Sequence, residues 1–584
     1  MSAADYHEEE TPGRVYDRHL AGRLLARVRP YWRLVVGAVL LLLVEGLLQL
    51  VGPLLTKRVI DEAIPAGDAA LVMQSAVIFG AALVAQFACG YGQTILTALV
   101  GQRVMRDLRN DLFAHLQRLP VPFFDRNPVG RLVTRVTSDV ESLNELFTAG
   151  VVAGLGDLFA LGAIGVLMVV ADWRLALAAF AVIPFVVITS RTFQRHVRAA
   201  YRDIRARLAR INAFLQERIT GMQVVQLFGR ERDERSRFAR LNEAHLAAPL
   251  RSVRVYALYL PVIEVLTSVA LASLIVGASG RVATGALTVG TVAAFLQLVR
   301  RFFQPLQDLS DKYNTLQQAM AASERIFGLL DTPAEPARVP LRHPARRDAR
   351  GATVEFEDVW FAYDVPRGPG AGDAEPRWVL RAVSFVVRPG ETLALVGHTG
   401  AGKTTVLGLL LRFYEPQRGR ILLDGVDIRE LSLEELRGRL AYVQQDIFLF
   451  AADIASNIRL GASLSDADVA AVAARVGADR VVRRLPHGYD QVLGERGSSL
   501  SVGERQLLSF ARAIAADPDL LLLDEATSAV DSETEAAIQE GLRELMRGRT
   551  TIAVAHRLST IVNATEILVL HHGQVRERGT HREL

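Results

Sequence analysis

Six stretches of nearly uninterrupted apolar residues lie in the first half of the chain, and short β-rich runs alternating with helical ones fill the second. A helix rises about 1.5 Å per residue, so about 20 apolar residues cross a hydrocarbon core about 30 Å thick. Residues 32–55, 72–100, 146–171, 175–190, 256–277 and 287–309 reach or approach that length, with Trp173 and Arg174 at a tight turn between the third and fourth. The segments 101–145 and 191–254 are helix-forming with few breakers, which predicts that the membrane helices continue past the bilayer as stalks. Breaks fall at residues 119–125 and near Gly221. A short apolar turn at the far end of a stalk has no use in water unless it docks on another surface. Phe123, Phe124, Met222 and Phe228 are therefore predicted docking points, with local packing between stalks as the alternative. Ahead of the first span, Leu20, Leu24, Leu25 and Val28 recur at helical spacing among Arg18, Arg23, Arg27 and Arg29. That pattern fits a helix lying in the membrane interface or an amphipathic helix packed on protein.

Composition sharpens this reading. Half of the 584 residues are apolar, and the excess sits in the first half, which excludes a wholly soluble protein. The two long segments between spans hold 22 arginines, whereas the three opposite loops hold four Lys or Arg (Lys57, Arg58, Arg174 and Arg281). Basic residues stay on the cytoplasmic side, so the long segments and both chain ends are expected there. Residues 1–17 are acidic and polar and lack the apolar core of a secretory signal. The single cysteine, Cys89, excludes an intrachain disulfide. Glu45, Asp157 and Glu264 fall inside predicted spans, and Arg300 and Arg301 inside the sixth. Charges there face a cavity or a partner. Acids lining a cavity would favour cationic or amphipathic cargo, and pairing between helices explains them equally well.

Residues 331–350, rich in Pro and Arg without apolar periodicity, form a predicted linker. From Val354 onward the alternation is that of an α/β domain. After the predicted strand 392–396 comes Gly397-His398-Thr399-Gly400-Ala401-Gly402-Lys403-Thr404, followed by Thr405. It meets the P-loop pattern at every fixed position: glycines let backbone N–H groups wrap phosphates, Lys403 reaches the β- and γ-phosphates, and Thr404 offers a hydroxyl to Mg²⁺. Only Lys57, Lys312 and Lys403 are lysines in this arginine-rich chain, and Lys403 stands where a compact ammonium on a flexible stem suits phosphate. The leucine run 520–523 ends in Asp524 and Glu525. Buried parallel strands read this way, and ligands bind at their carboxyl ends. Asp524 would hold the metal through water, and Glu525 would polarise the attacking water.

With these motifs in order, residues 351–584 resemble the nucleotide-binding domain of an ABC transporter, and residues 18–330 resemble the six-helix membrane domain of its exporter branch. Tyr363 resembles the aromatic residue that stacks on adenine. Gln445 resembles the glutamine that senses Mg²⁺ and the membrane domain. Gly494-Glu495-Arg496-Gly497 is similar to the exporter loop beside the coupling helices, and Ser528-Ala529-Val530-Asp531 to the dimer-crossing loop. His556 resembles the switch histidine on the γ-phosphate. The implied fold is an α-helical six-span membrane domain with long cytoplasmic stalks, a linker, and an α/β P-loop ATPase domain of ABC type after an N-terminal tail of residues 1–17.

The resemblance also implies a mechanism. Two ATPase domains sandwich two ATP molecules, each between one P-loop and the opposing signature LSGGQ; closure turns the membrane cavity outward and hydrolysis resets it. Here the signature reads Leu500-Ser501-Val502-Gly503-Glu504. Valine replaces a glycine that must approach phosphate, and Glu504 puts a carboxylate where the family has an amide, a like charge beside polyphosphate. Ser501 and Gly503 remain. The chain also ends at Leu584, where relatives usually continue through a further helix. The resulting expectation is ATP-driven, Mg²⁺-dependent export or flipping of a hydrophobic or amphipathic substrate, in a bacterial inner or plasma membrane. This chain would be the subunit with the catalytic Glu, paired with a second half-transporter carrying an intact signature and a degenerate catalytic acid. A homodimer tolerating the altered signature, and an ATP-gated channel, are the alternatives.

Overall fold

A computed structural model of the chain describes residues 18–146, 152–334, 351–364, 376–524, 532–555 and 561–584. The tail 1–17 and most of the predicted linker lie outside the described residues. The chain divides into two units, Met1–Arg118 with Pro128–Pro333, and Leu119–Asn127 with Ala334–Leu584.

The first unit is helical. Its main helices are Arg18–Val28, Trp32–Arg58, Ala69–Leu116, Ala153–Ala171, Trp173–Phe180, Ile183–Thr220, Glu231–Ala283 and Val289–Leu330. Among the described residues, five helical stretches are long and apolar enough to cross a membrane. The predicted sixth span forms the helix Val289–Leu330, which carries Arg300 and Arg301 in its apolar run and is not among the five. Large apolar side chains on the spans face outward, Phe87, Val170 and Val276 each about three-quarters exposed, as lipid-facing positions do. The predicted turn at Trp173 is set by Asp172, whose carboxylate accepts from the backbone N–H groups of Arg174 and Leu175 and pairs with Arg281 at 2.6 Å.

The stalks are continuous with the spans. Glu231–Ala283 has 53 residues, a length of about 80 Å at about 1.5 Å per residue, far more than a bilayer needs. It runs against Ile183–Thr220, and polar ties hold the stalk portions together: Arg218 to Glu234 at 2.7 Å, Arg207 to the Ala244 carbonyl at 2.7 Å, and Arg251 to Asp203 at 3.8 Å. The breaks fall at the predicted places, with Ala69–Leu116 ending before Pro120 and Gly221 separating Ile183–Thr220 from Met222–Leu227. One face of the N-terminal amphipathic helix packs on protein, while Leu25 on it is exposed. Leu24 and Val28 are buried, and the Arg23 guanidinium pairs with Asp331 at 2.6 Å while lying 4.2 Å from the Phe327 ring centre.

The second unit holds two sheets. β1 (Val354–Phe361), β2 (Leu380–Val387), β4 (Arg418–Leu423) and β5 (Val426–Asp427) form an antiparallel sheet in the order β2-β1-β4-β5. β3 (Thr392–Val396), β6 (Leu440–Val443), β7 (Leu520–Asp524), β8 (Thr550–Val554), β9 (Glu566–His571) and β10 (Gln574–Gly579) form the other, ordered β10-β9-β3-β8-β7-β6. Within it all pairs are parallel except the edge pair β9–β10. The leucine run explains why the sheet sits between two cores. Leu520 and Leu522 join the cluster that contains Val406 and Leu407 of the helix Lys403–Leu410, whereas Leu521 and Leu523 join the one containing Leu507, Phe510 and Ile514 of the helix Val502–Ala515. A strand buried on both faces needs apolar residues at every position.

Candidate functional site

β3 delivers the chain to the phosphate loop. A Cβ at Gly397 would lie 2.2 Å from the Leu570 carbonyl oxygen, and one at Gly402 (φ 101°) 2.6 Å from Leu380, so both positions require glycine. Gly400 also takes a positive φ of 82°, and the Ala401 N–H closes the turn on the His398 carbonyl at 3.1 Å. Thr399 is exposed in the same loop. Lys403 opens the following helix, and its ammonium curls back to donate to the carbonyls of Gly397 at 2.7 Å and His398 at 3.2 Å.

Thr404 and Asp524 meet across this loop. The Thr404 hydroxyl donates to one Asp524 oxygen at 3.2 Å, and the Tyr442 hydroxyl to the other at 3.2 Å. Burial, together with the Asp524 charge, pushes the Tyr442 phenol well above its ordinary pKa, so it remains a donor. A hydroxyl beside a buried carboxylate is the hard-oxygen donor set that Mg²⁺ prefers, and these residues fit that ion. The Tyr363 hydroxyl bonds Thr405 Oγ1 at 3.0 Å, and its ring packs edge-on against Phe361 and Tyr414.

Gln445 is exposed two residues beyond the end of β6, the edge strand beside β7. Glu525, residues 528–531 and His556 lie outside the described residues. The strands that lead to Glu525 and His556 are parallel neighbours, with Asp524 opposite Val554.

Ser501 and Gly503 sit at the start of the helix Val502–Ala515. The Ser501 hydroxyl accepts from the Glu504 N–H at 3.2 Å, and the Glu504 carboxylate accepts from the Ser501 N–H at 2.8 Å. This reciprocal capping box gives Glu504 a local structural role. The P-loop helix and this signature helix pack into the separate cores on the sheet's two faces.

Two residues that make side-chain contacts around the site escaped the sequence reading. Tyr442 is one. Arg512 is the other: it donates to the Phe448 carbonyl at 2.9 Å and to the Asn457 carbonyl at 2.9 Å, tying the signature helix to the segment after Gln445. Burial brings its pKa down to about 10, still charged at neutral pH. The second unit also contains the stalk-end segment Leu119–Asn127. There Asp125 accepts from the Tyr414 hydroxyl, and Arg126 donates to the Tyr363 carbonyl at 3.3 Å. At the other break, Met222, Leu227 and Phe228 are exposed.

The membrane unit holds a cavity of about 510 Å³ lined by Glu45, Gln49, Gln86, Gln93, Asp157 and Arg301, among others. The Arg301 guanidinium donates to the Gln49 carbonyl. Glu264 does not belong to it and is exposed on Glu231–Ala283. Of the five charges placed in predicted spans, Glu45, Asp157 and Arg301 line this cavity.

Residues 35–306 match the ABC transporter transmembrane region family, and residues 380–528 the ABC transporter family. An ATP-dependent lipid A-core flippase of Thiobacillus denitrificans is 37% identical over 97% of this chain and 96% of its own. The chain belongs to the ABC transporter family. It lies in the exporter branch and hydrolyses ATP to drive transport. A fatty acid ABC transporter of Mycobacterium bovis is 39% identical, over 85% of this chain and 76% of its own. A bacterial Atm1-family ABC exporter with ATP bound has a TM-score of 0.73 at 31% identity, covering 94% of this ABC transporter and 95% of that chain.

Proposed function

We propose that this ABC transporter is one half of a heterodimeric exporter that moves a hydrophobic or amphipathic molecule across a bacterial inner membrane. The altered signature, with Val502 and Glu504 on the helix that packs on the sheet face opposite the P-loop helix, carries the reading. A signature so mounted serves the P-loop of a second chain. The exposed apolar residues at Met222, Leu227 and Phe228 fit a surface that such a second chain covers. Relatives named for lipid A-core and fatty acids support a lipid-like cargo, and the mixed charge of the intramembrane cavity suits an amphipathic head group.

In this reading Lys403 neutralises the β- and γ-phosphates, and Thr404 and Asp524 hold Mg²⁺ with Gln445 near it. That ion, when bound, draws charge from the phosphate oxygens. Tyr442 keeps Asp524 oriented, Tyr363 packs against adenine, Glu525 takes the proton of the attacking water and His556 contacts the γ-phosphate. ATP drives transport because it binds the closed pair more tightly than the open one. This chain's own signature, with Val502 and Glu504, forms the weaker second site. A homodimer is the second reading, favoured by the intact capping box that keeps Ser501 at the helix start.

The test is isolation of the tagged chain from membranes of its native host, followed by native mass spectrometry. A one-to-one complex with a different half-transporter is expected. A pure homodimer with full ATP turnover would overturn the heterodimer.

A further inference from the structure

Three histidines converge beside the phosphate loop. His398 in the loop, His571 at the end of β9 and His572 in the turn that follows are all exposed, and each offers a ring nitrogen within 4.8 Å of the other two. Their ring centres lie 4.2 to 5.2 Å apart.

The backbone holds them there. β9 and β10 are joined by a two-residue turn, with His571 paired to Gln574 and positive φ at both His572 (49°) and Gly573 (76°), the geometry of a tight type I′ hairpin. The Gly573 carbonyl accepts from the Arg381 N–H at 2.8 Å, which anchors the turn. On the loop side, the missing Cβ of Gly397 lets the backbone approach the carbonyl of Leu570, the residue just before His571.

The protonation pattern also suits a ligand. His398 Nδ1 lies 2.8 Å from the Thr399 carbonyl. A carbonyl only accepts, so Nδ1 is the donor in this contact, and the tautomer that makes it leaves the Nε2 lone pair for a ligand. A ring N–H bonded to a backbone carbonyl is the support that metal-binding histidines use.

We propose that His398, His571 and His572 form a three-histidine site for a transition-metal ion of the Zn²⁺ class, which fastens the phosphate loop to the β9–β10 turn. Imidazole nitrogens select Zn²⁺, Cu²⁺ or Ni²⁺ over oxygen-seeking Mg²⁺, so the ion that accompanies ATP does not compete for it. Three histidines with an open fourth position are an established Zn²⁺ arrangement, with Zn–N of about 2.0–2.1 Å and hence nitrogens about 3.4 Å apart. Exposed side chains close the remaining distance by rotation.

Cobalt is the probe, because tetrahedral Co²⁺ absorbs visible light and Zn²⁺ does not. The full-length protein, with its affinity tag removed, is titrated with Co²⁺ alongside the His571→Ala/His572→Asn variant. Asn tolerates the left-handed backbone at 572, and unchanged ATP turnover with Mg²⁺ in the absence of transition metal reports an intact fold. The single variant His571→Ala serves if the double variant misfolds. The expected result is one Co²⁺ per wild-type chain with a tetrahedral spectrum, displaced by Zn²⁺ and lost in the variants. The same spectrum and stoichiometry in a folded variant would overturn the site, as would an octahedral spectrum in the wild type.

Discussion

Asp524 receives one hydroxyl from the phosphate-loop helix and another from β6, and the second of these has no counterpart in any motif. Tyr442→Phe removes only that second bond. Outer-shell partners of metal ligands are worth about 10- to 100-fold in affinity, so the Mg²⁺ midpoint for ATP turnover is expected to rise by about that much. A Mg²⁺ titration of ATPase activity checks it. Glu525→Gln is expected to lower turnover by about 10²- to 10⁴-fold, the range of a lost general base, with ATP still bound; nucleotide-binding and turnover assays on the same preparation distinguish the two effects. Residues whose chemistry needs fixed spacing, from Gly397 to Thr404 and at Asp524, were legible in the sequence. Tyr442 and Arg512 were not. Each is an ordinary residue of a strand or helix, and its partners lie 82 and 55 positions away, where no local pattern reaches.

Apolar length and breakers made the elements legible. The stalks continue from the spans, and Pro120 and Gly221 end them, as their composition predicts. Long-range side-chain contacts were hidden. The protein-packed face of the N-terminal helix shows only when Arg23 is seen to pair with Asp331, 308 positions away. Glu504 reads as damage to a phosphate motif, yet it caps the helix that carries the motif. Arg439, buried at the start of β6, joins Asp424 at the end of β4 to Asp519 before β7 and so ties the two sheets together. Removing one partner of a buried ion pair costs about 3–5 kcal/mol. Arg439→Ala is accordingly expected to lower the thermal unfolding midpoint of the ATPase unit, read in the full-length protein by differential scanning. The stalk-end segment offers another element-level test. Tyr414→Phe deletes the bond to Asp125 without touching the phosphate loop, so basal ATP turnover is expected to persist while its stimulation by transported substrate falls.

At the scale of the whole molecule, the ATPase fold mounts its two ATP-facing motifs on opposite sides of one sheet. In the proposed heterodimer the altered signature serves the second site, and the phosphate loop with Asp524 the first. The cleanest measurement is ATP turnover by the purified chain alone, in lipid nanodiscs, as wild type and as Val502→Gly/Glu504→Gln. Glutamine keeps the capping box, while the change removes one carboxylate and restores one close backbone approach. A hydrogen bond to a charged group is worth about 1.5–3 kcal/mol, or about 10- to 100-fold in rate. Slow turnover is expected in the wild type, and an increase of that size in the variant. Fast turnover by the wild type alone, unchanged in the variant, would contradict the heterodimer.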